Sequence, residues 1–194
     1  MAQEYASNGD LYQLITTKKY LTDRYVRFII KSIALGLSYA HKHGCDGGGI
    51  SHRDIKLENI LIMDDGTIKI GDWGLSTFDI HNRMCSSSCG TLGYMAPELI
   101  CRKKYKADKA DVWSLGVMLF ILRFGIRPYS EPKKRKQNKE DNAWCDEWLK
   151  TIKRGKWDIW WYSHIQCMKS SDEIRTKMKD KIDISDSYKN LFNY

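Results

Sequence analysis

The sequence predicts a mainly helical domain that carries one small β-hairpin. Apolar residues recur every three or four positions over residues 23–43, which predicts an amphipathic helix with Thr22 or Asp23 as its N-cap. Residues 109–122 are apolar on almost every side, as in a helix buried at a domain centre. Two short β-branched runs flank an Asp-Asp-Gly turn at 64–66. Together these observations predict an α+β domain in which helices dominate.

The predicted hairpin also brings two polar residues together. Its strands are expected at residues 60–63 and 67–70, and a hairpin returns the chain to where it began. Asn59 precedes the first strand and Asp72 follows the second, so we expect both at the same end. Oxygen atoms of amides and carboxylates are the ligands that Mg²⁺ prefers.

Composition fits one domain and limits the classes of partner. The 194 residues have a formal net charge of +8, but the positive residues are scattered or lie in the loop 131–142, so a nucleic-acid partner is not expected. Solubility or the recognition of acidic substrates explains the positive net charge more simply. No uncharged apolar stretch reaches bilayer length, so no membrane span is expected. The six cysteines form no CxxC pair, which favours a reduced, cytoplasmic protein.

Two motifs carry the most specific information in the chain. Residues 52–59 read His-Arg-Asp-Ile-Lys-Leu-Glu-Asn, and Asp-Trp-Gly follows at 72–74. These motifs resemble the catalytic loop and the metal-binding motif of the eukaryotic protein kinases, with Trp73 in place of phenylalanine. Ala-Pro-Glu at 96–98 matches the end of the family's activation segment. Lys56 and the Gly-Thr pair at 90–91 resemble the serine/threonine type, and residues 88–91 and 114–117 weakly resemble the calmodulin-dependent and AMP-activated group.

The resemblance implies a role for each polar residue of these motifs. Asp54 is expected to accept the proton of the substrate hydroxyl, and Lys56 to stabilise the moving phosphoryl charge. Asn59 and Asp72 are expected to hold Mg²⁺, while Thr91 braces Asp54 and Lys56. The implied cofactors are ATP and Mg²⁺, and the implied substrates are protein serine and threonine hydroxyls. The large helical lobe of a kinase, with its hairpin at the nucleotide cleft, is the implied fold.

The first residues are similar to the segment that joins the two kinase lobes. This similarity implies that the backbone from Glu4 to Ala6 bonds the adenine edge and that Asp10 reaches the ribose hydroxyls. Leu61 is expected to form the floor of the adenine pocket. The plainer alternatives are that Asp10 caps a helix through Lys18 and that Leu61 only packs in a strand.

The resemblance also implies regulation through the activation segment. Ser87 stands where the family commonly carries its activating phosphate, which implies an upstream activating kinase. Arg53 is expected to pair with that phosphate. Asp111 resembles the aspartate that holds the catalytic-loop backbone, and its plainer alternative is a charge favoured by the helix dipole.

The resemblance is expected to cover a partial kinase domain over residues 1–194, with the hinge at 1–9 and a large lobe, incomplete at its end, at 10–194. The sequence contains no GxGxxG motif and no strand-borne nucleotide lysine, so the amino-terminal lobe is expected to be absent. The isolated chain is then expected to be inactive or weakly active. The intact loop favours a fragment of an active kinase, while a nonenzymatic scaffold and a regulatory nucleotide-binding module are the alternatives.

Several further segments are interpreted as structural and not as binding sites. The glycine-rich stretch 45–49 is interpreted as a slack surface insertion, because no helix start follows it. His81, Cys85 and Cys89 lack a clear fourth ligand and are not expected to bind zinc. Residues 144–152 are expected to be helical, and the aromatic residues at 157–162 are expected to fill core.

Overall fold

A computed structural model describes residues 4–18, 21–44, 48–79, 84–129 and 142–154 of the chain. Five α-helices and short 3₁₀ turns at Leu57–Asn59, Trp73–Leu75 and Leu92–Tyr94 account for about half of these residues. The helices are α1 (Leu11–Thr17), α2 (Asp23–Ala40), α3 (Pro97–Ile100), α4 (Ala107–Phe124) and α5 (Asn142–Arg154). The strands are β1 (Gly49–Ser51), β2 (Ile60–Ile62), β3 (Ile68–Ile70) and β4 (Thr77–Asp79).

The first two helices begin at side chains that cap them. The Asp10 carboxylate accepts a hydrogen bond from the backbone N–H of Gln13 at 2.8 Å, and the Thr22 hydroxyl accepts one from that of Tyr25 at 3.3 Å. Such caps satisfy donors that the first helical turn leaves unpaired. The predicted caps at both positions are confirmed.

The hydrophobic core lies between α2 and α4. Helix α2 buries one stripe, and α4 is buried over most of its length, as the two sequence patterns predict. The stripe of α2 consists of Val26, Ile29, Ile33 and Leu37. The patterns overstate the burial at a few positions, because Tyr39 on α2 is 67% exposed and Val112 on α4 is 56% exposed. An ion pair between Arg123 and Asp23 joins the end of α4 to the start of α2.

The predicted hairpin is confirmed and is one of two small sheets in the described part of the chain. Strands β2 and β3 pair antiparallel with Ile60 opposite Ile70. Strands β1 and β4 form the second sheet, with Ile50 opposite Phe78, which the sequence analysis did not predict. Both strands of this sheet are only three residues long, and they are separated by the catalytic loop and the hairpin. No local turn therefore indicated their pairing.

The glycine-rich stretch is not entirely slack. Gly49 lies buried in β1, and a Cβ atom there would come within 2.0 Å of the carbonyl oxygen of His41. Gly48 is also buried, so the interpretation as a surface insertion is wrong for these two residues. The close approach of two backbones requires glycine at position 49. Residues 45–47 lie outside the described residues.

A disulfide bond joins α3 to α5. It links Cys101, directly after α3, to Cys145 on α5, across a sequence separation of 44. The expectation of reduced cysteines is wrong for this pair, because sequence spacing alone did not show that the two lie side by side. Helix α5 also inserts the fully buried Trp148 against Tyr129, with ring centroids 5.8 Å apart.

Two expectations concern features that the described residues lack. No helix among them is long and apolar enough to cross a membrane. Within the same part of the chain, no group of three or more His, Cys, Asp or Glu side chains is placed to hold a metal ion. His81 and the aromatic residues at 157–162 lie outside the described residues.

Candidate active site

The catalytic loop is anchored to the central helix by one buried carboxylate. Asp111 on α4 is fully buried and accepts hydrogen bonds from the backbone N–H groups of His52 at 2.8 Å and Arg53 at 2.7 Å. The His41 ring contacts the same carboxylate at 2.8 Å. Arg53 adopts a φ of 67°, a left-handed backbone that costs energy in a non-glycine residue. The predicted anchoring role of Asp111 is confirmed.

The Asp54 carboxylate is gripped through both of its oxygen atoms. Oδ2 accepts from the Lys56 ammonium at 2.7 Å. Oδ1 accepts from the backbone N–H of Thr91 at 2.8 Å and from its hydroxyl at 2.7 Å. Lys56 also donates to the Thr91 hydroxyl at 3.0 Å. The structure thus places Lys56 and Thr91 around Asp54 in the arrangement that the resemblance implied.

A glycine makes this approach of the activation segment possible. Gly90 has a φ of 108°, and a Cβ atom there would come within 2.6 Å of the Arg53 carbonyl oxygen. Only glycine adopts such a backbone without strain and leaves that space open. The Gly-Thr pair therefore acts as a unit, since Gly90 admits the segment and Thr91 bonds Asp54.

Opposing effects act on the pKa of Asp54. Burial raises the pKa of the carboxyl, but the hydrogen bonds from Lys56 and Thr91 and the charge of Lys56 together outweigh burial. The net result is a pKa below the ordinary value of 3.8. Asp54 is therefore ionised at neutral pH, the state that a proton acceptor needs.

The hairpin brings Asn59 next to the segment that carries Asp72. The backbone N–H of Gly71 donates to the Asn59 carbonyl at 2.8 Å, one step beyond the last pair of β2 and β3. The Asn59 side-chain nitrogen donates to the Asp54 backbone carbonyl at 2.9 Å. With the nitrogen turned toward Asp54, the amide oxygen is the atom that remains for a cation. Asp72 presents an exposed carboxylate, so the donor set fits a hard divalent ion.

The imidazole of His52 connects the backbone at Asp54 to the segment that carries Asp72. Its Nδ1 accepts from the backbone N–H of Asp54 at 3.2 Å, and its Nε2 lies 2.9 Å from the Gly71 carbonyl oxygen. Because Nδ1 accepts, Nε2 carries the proton and donates it to that carbonyl. No role for this ring or for His41 follows from the sequence patterns described above. For His52 the available signal was its place in the His-Arg-Asp motif, whereas His41 lies outside the motif and carried no such signal.

Comparison with known proteins identifies the family. The model of the protein kinase domain matches residues 1–192. The chain belongs to the protein kinase family. A 129-residue stretch is 41% identical to NUAK family SNF1-like kinase 2 of Rattus norvegicus, covering 66% of this chain and 20% of that protein. Similarity to CBL-interacting serine/threonine-protein kinase 13 of Arabidopsis thaliana reaches 36% over 137 residues, or 68% of this chain and 26% of that protein.

These relatives place the chain with the serine/threonine kinases. NUAK family SNF1-like kinase 1 of Homo sapiens is 38% identical over 126 residues, which cover 65% of this chain and 18% of that protein. The matched part of the chain thus spans between about a fifth and a quarter of the length of these curated relatives.

The first described segment of the kinase lies against the hairpin. The backbone N–H of Asn8 donates to the Ile62 carbonyl at 3.2 Å, and that of Ile62 donates to the Gly9 carbonyl at 2.9 Å. Asp10 lies opposite Leu61 in a β-bridge, and Leu61 is half-buried.

The residues expected to hold ATP occupy different settings. Glu4 is exposed and forms an ion pair with Lys69, while the Ala6 carbonyl accepts from the backbone N–H of Gly9 at 3.1 Å. Asp10 uses one oxygen to cap α1. The plainer alternative for Asp10, a helix cap, is therefore confirmed. The expected roles of Glu4, Ala6, Asp10 and Leu61 toward ATP stay predictions.

The kinase activation segment passes close to Arg53. The Arg53 guanidinium donates to the Ser87 hydroxyl at 2.8 Å through Nη1 and to the Leu75 carbonyl at 2.7 Å through Nε. The Tyr105 hydroxyl donates to the Ser87 backbone carbonyl at 2.9 Å. The two residues expected to form a regulatory pair are thus in direct contact.

Proposed function

We propose that this chain carries the base and metal ligands of a protein kinase that transfers the γ-phosphoryl group of ATP to serine and threonine hydroxyls. The observation that supports it best is the Asp54 carboxylate, which Lys56 and Thr91 hold ionised in a buried loop. Packing alone does not require a carboxylate, an ammonium and a hydroxyl to converge within about one hydrogen-bond length, and phosphoryl transfer does.

In the proposed step, the oxygen of the substrate hydroxyl attacks the γ-phosphorus while Asp54 accepts the proton of that hydroxyl. One oxygen–phosphorus bond forms, the bond to the bridging oxygen of ADP breaks, and ADP leaves with that electron pair. Lys56 lies 2.7 Å from Asp54 and offsets the negative charge of the moving phosphoryl group. Thr91 fixes the carboxylate so that the base needs little reorientation during the reaction.

Mg²⁺ in this proposal is held by the Asn59 amide oxygen and the Asp72 carboxylate. When bound, the ion neutralises charge on the phosphate oxygens. The pairing of Gly71 with Asn59 supports the assignment, because it fixes the two ligand-bearing segments side by side. We propose that the adenine lies along residues 4–6 with Leu61 beneath it and that the ribose lies near Asp10. Both placements rest on the family resemblance.

The family's glycine-rich loop and nucleotide lysine have no counterpart in these 194 residues. We therefore propose that residues 1–9 act as the hinge and residues 10–194 as part of the large lobe. Transfer by the chain alone is expected to be slow or absent. Joining it to the amino-terminal kinase residues of the rat relative is expected to restore transfer.

The test measures transfer from radiolabelled ATP to a serine/threonine peptide library with the joined chain. Asp54→Asn is expected to lower the rate by about 10²- to 10⁴-fold, the usual contribution of a positioned base. Asp64→Asn is the matched control, because it neutralises an exposed carboxylate in the hairpin turn. Undiminished transfer by Asp54→Asn refutes the assignment of Asp54 as the base. A joined chain that binds ATP but transfers nothing favours the scaffold or the regulatory nucleotide-binding module.

We propose further that phosphorylation of Ser87 by an upstream kinase orders the activation segment. The contact between Ser87 and Arg53 supports this proposal, since a phosphate at that hydroxyl lies within reach of the guanidinium. Activation of the joined chain by a cell lysate is expected to be lost with Ser87→Ala and kept with Ser86→Ala. Full activation of Ser87→Ala contradicts the proposal.

A further inference from the structure

The loop that carries Asp72 leaves β3 and turns sharply. Asp72 adopts a left-handed backbone with a φ of 54°, and its carboxylate accepts from the backbone N–H of Gly74 at 3.3 Å. A non-glycine residue in this conformation costs energy and persists only when its surroundings hold it. The contacts on either side of Asp72 therefore decide whether the carboxylate stays in place.

Side chains hold backbone carbonyls on both sides of this turn. His52 donates to the Gly71 carbonyl at 2.9 Å. The Arg53 guanidinium donates to the Leu75 carbonyl at 2.7 Å. Both donors belong to the catalytic loop, so they set the turn relative to the base.

Trp73 adds a contact that its usual counterpart in the motif cannot make. Its indole Nε1–H donates to the Ile70 carbonyl at 3.0 Å, at the end of β3. Its ring also packs edge-on against the His52 imidazole, with centroids 4.7 Å apart. Phenylalanine preserves a ring but has no N–H, so it loses the hydrogen bond and leaves that carbonyl without this donor.

We propose that Trp73 is a positioning residue that holds the Asp72 turn in its metal-binding arrangement through the indole hydrogen bond. The inference rests on the proposed metal role of Asp72. Trp73 and His52 fix two successive carbonyls, those of Ile70 and Gly71, immediately before the strained residue. Two side chains from within residues 52–73, those of His52 and Trp73, therefore hold the start of the turn.

Amide hydrogen exchange tests the positioning. In Trp73→Phe, exchange over residues 71–76 is expected to quicken about fivefold, the effect of one net hydrogen bond on a local opening. Trp113→Phe is the matched control, because it removes an indole hydrogen bond from Trp113, on α4 and remote in sequence from the turn, to the Tyr129 hydroxyl. Unchanged exchange in Trp73→Phe, or an equal rise over 71–76 in Trp113→Phe, overturns the proposal.

Binding of Mn²⁺ with ADP, followed by electron paramagnetic resonance on the joined chain, tests the consequence for the metal. The half-saturating Mn²⁺ concentration is expected to rise severalfold in Trp73→Phe and to stay unchanged in Trp113→Phe. Equal concentrations in the two variants overturn the positioning role. If the unsubstituted joined chain binds no Mn²⁺, the proposed metal site fails, and hydrogen exchange alone decides the role of Trp73 in the turn.

Discussion

At the scale of single residues, the site depends on how Asp54 is kept ionised. Thr91 and Lys56 lower the pKa of a carboxyl that burial alone raises. The ionised form therefore stabilises the fold above the ordinary pKa of 3.8, and this stabilisation is lost as the pH falls through the lower, folded-state pKa. The same contacts extend the pH range over which Asp54, the proposed base, is ionised.

Removing the Thr91 hydroxyl is expected to raise the pKa of Asp54. Thr91→Val keeps the backbone N–H and the shape but removes the hydrogen bond to Oδ1, so the carboxylate becomes easier to protonate. Carbon NMR titration of the Asp54 carboxyl checks this shift. The acid limb of the pH–rate profile of the joined chain should move to higher pH with it.

Thr67→Val is the control for this titration. Thr67 is the first cause of the lowered pKa of Asp65 in the hairpin turn, so its substitution should raise the pKa of Asp65 and leave that of Asp54 unchanged. An Asp54 titration that is identical in Thr91→Val and the unsubstituted chain contradicts the prediction.

The residue types of the site were predictable, but several of their partners were not. Asp54, Lys56 and Thr91 stand in recognisable motifs, and the structure brings them together. His41 lies outside those motifs, and its contact with Asp111 depends on how α2 ends beside α4. Sequence patterns report periodicity along one helix and do not report the distance between two helices.

At the scale of elements, helix α4 supports the catalytic loop. Its Asp111 accepts backbone N–H groups from consecutive loop residues, so the loop conformation depends on a helix that is distant in sequence. Burying a carboxylate is costly unless donors surround it, and here the loop and His41 supply them.

Asp111→Asn is expected to lower the free energy of unfolding by about 2–4 kcal/mol. The amide removes the charge and turns a donor toward one of the loop N–H groups, which leaves a buried donor unsatisfied. Urea unfolding followed by circular dichroism measures the loss. Asp108→Asn, in the first turn of the same helix, should cost less than about 1 kcal/mol; equal losses from both substitutions would show that the anchoring role is wrong.

The elements themselves were predictable to different degrees. The helices at 11–17, 23–40 and 107–124 and the hairpin follow from periodicity, caps and a turn sequence. The sheet of β1 and β4 does not, because the catalytic loop and the hairpin separate its two strands in the sequence. Nonlocal pairing of three-residue strands leaves no pattern in either strand alone.

At the scale of the whole molecule, the disulfide ties α5 to the end of the activation segment. Cys101 follows α3, the helix that begins at Pro97, and Cys145 lies on a helix that the chain reaches much later. Closing a loop of this length restricts the unfolded chain far more than the folded one.

Reduction of this disulfide is expected to lower the free energy of unfolding by about 2–4 kcal/mol. Urea unfolding with and without dithiothreitol measures the effect. The Cys101→Ser, Cys145→Ser double variant should unfold like the reduced chain and should not respond to dithiothreitol. An unfolding midpoint of the unsubstituted chain that ignores the reductant would show that the bond contributes no stability.

Arg53 is held at its two ends by unrelated partners. Its backbone N–H is fixed by a buried carboxylate of α4, while its guanidinium reaches Ser87 on the activation segment. The proposed phosphate on Ser87 would therefore act on the Arg53 guanidinium, while the Asp111 carboxylate keeps the Arg53 backbone, next to Asp54, in place. We expect such a phosphate to move the activation segment and not the backbone at Asp54, so the proposed regulation and the proposed proton transfer would depend on different parts of Arg53.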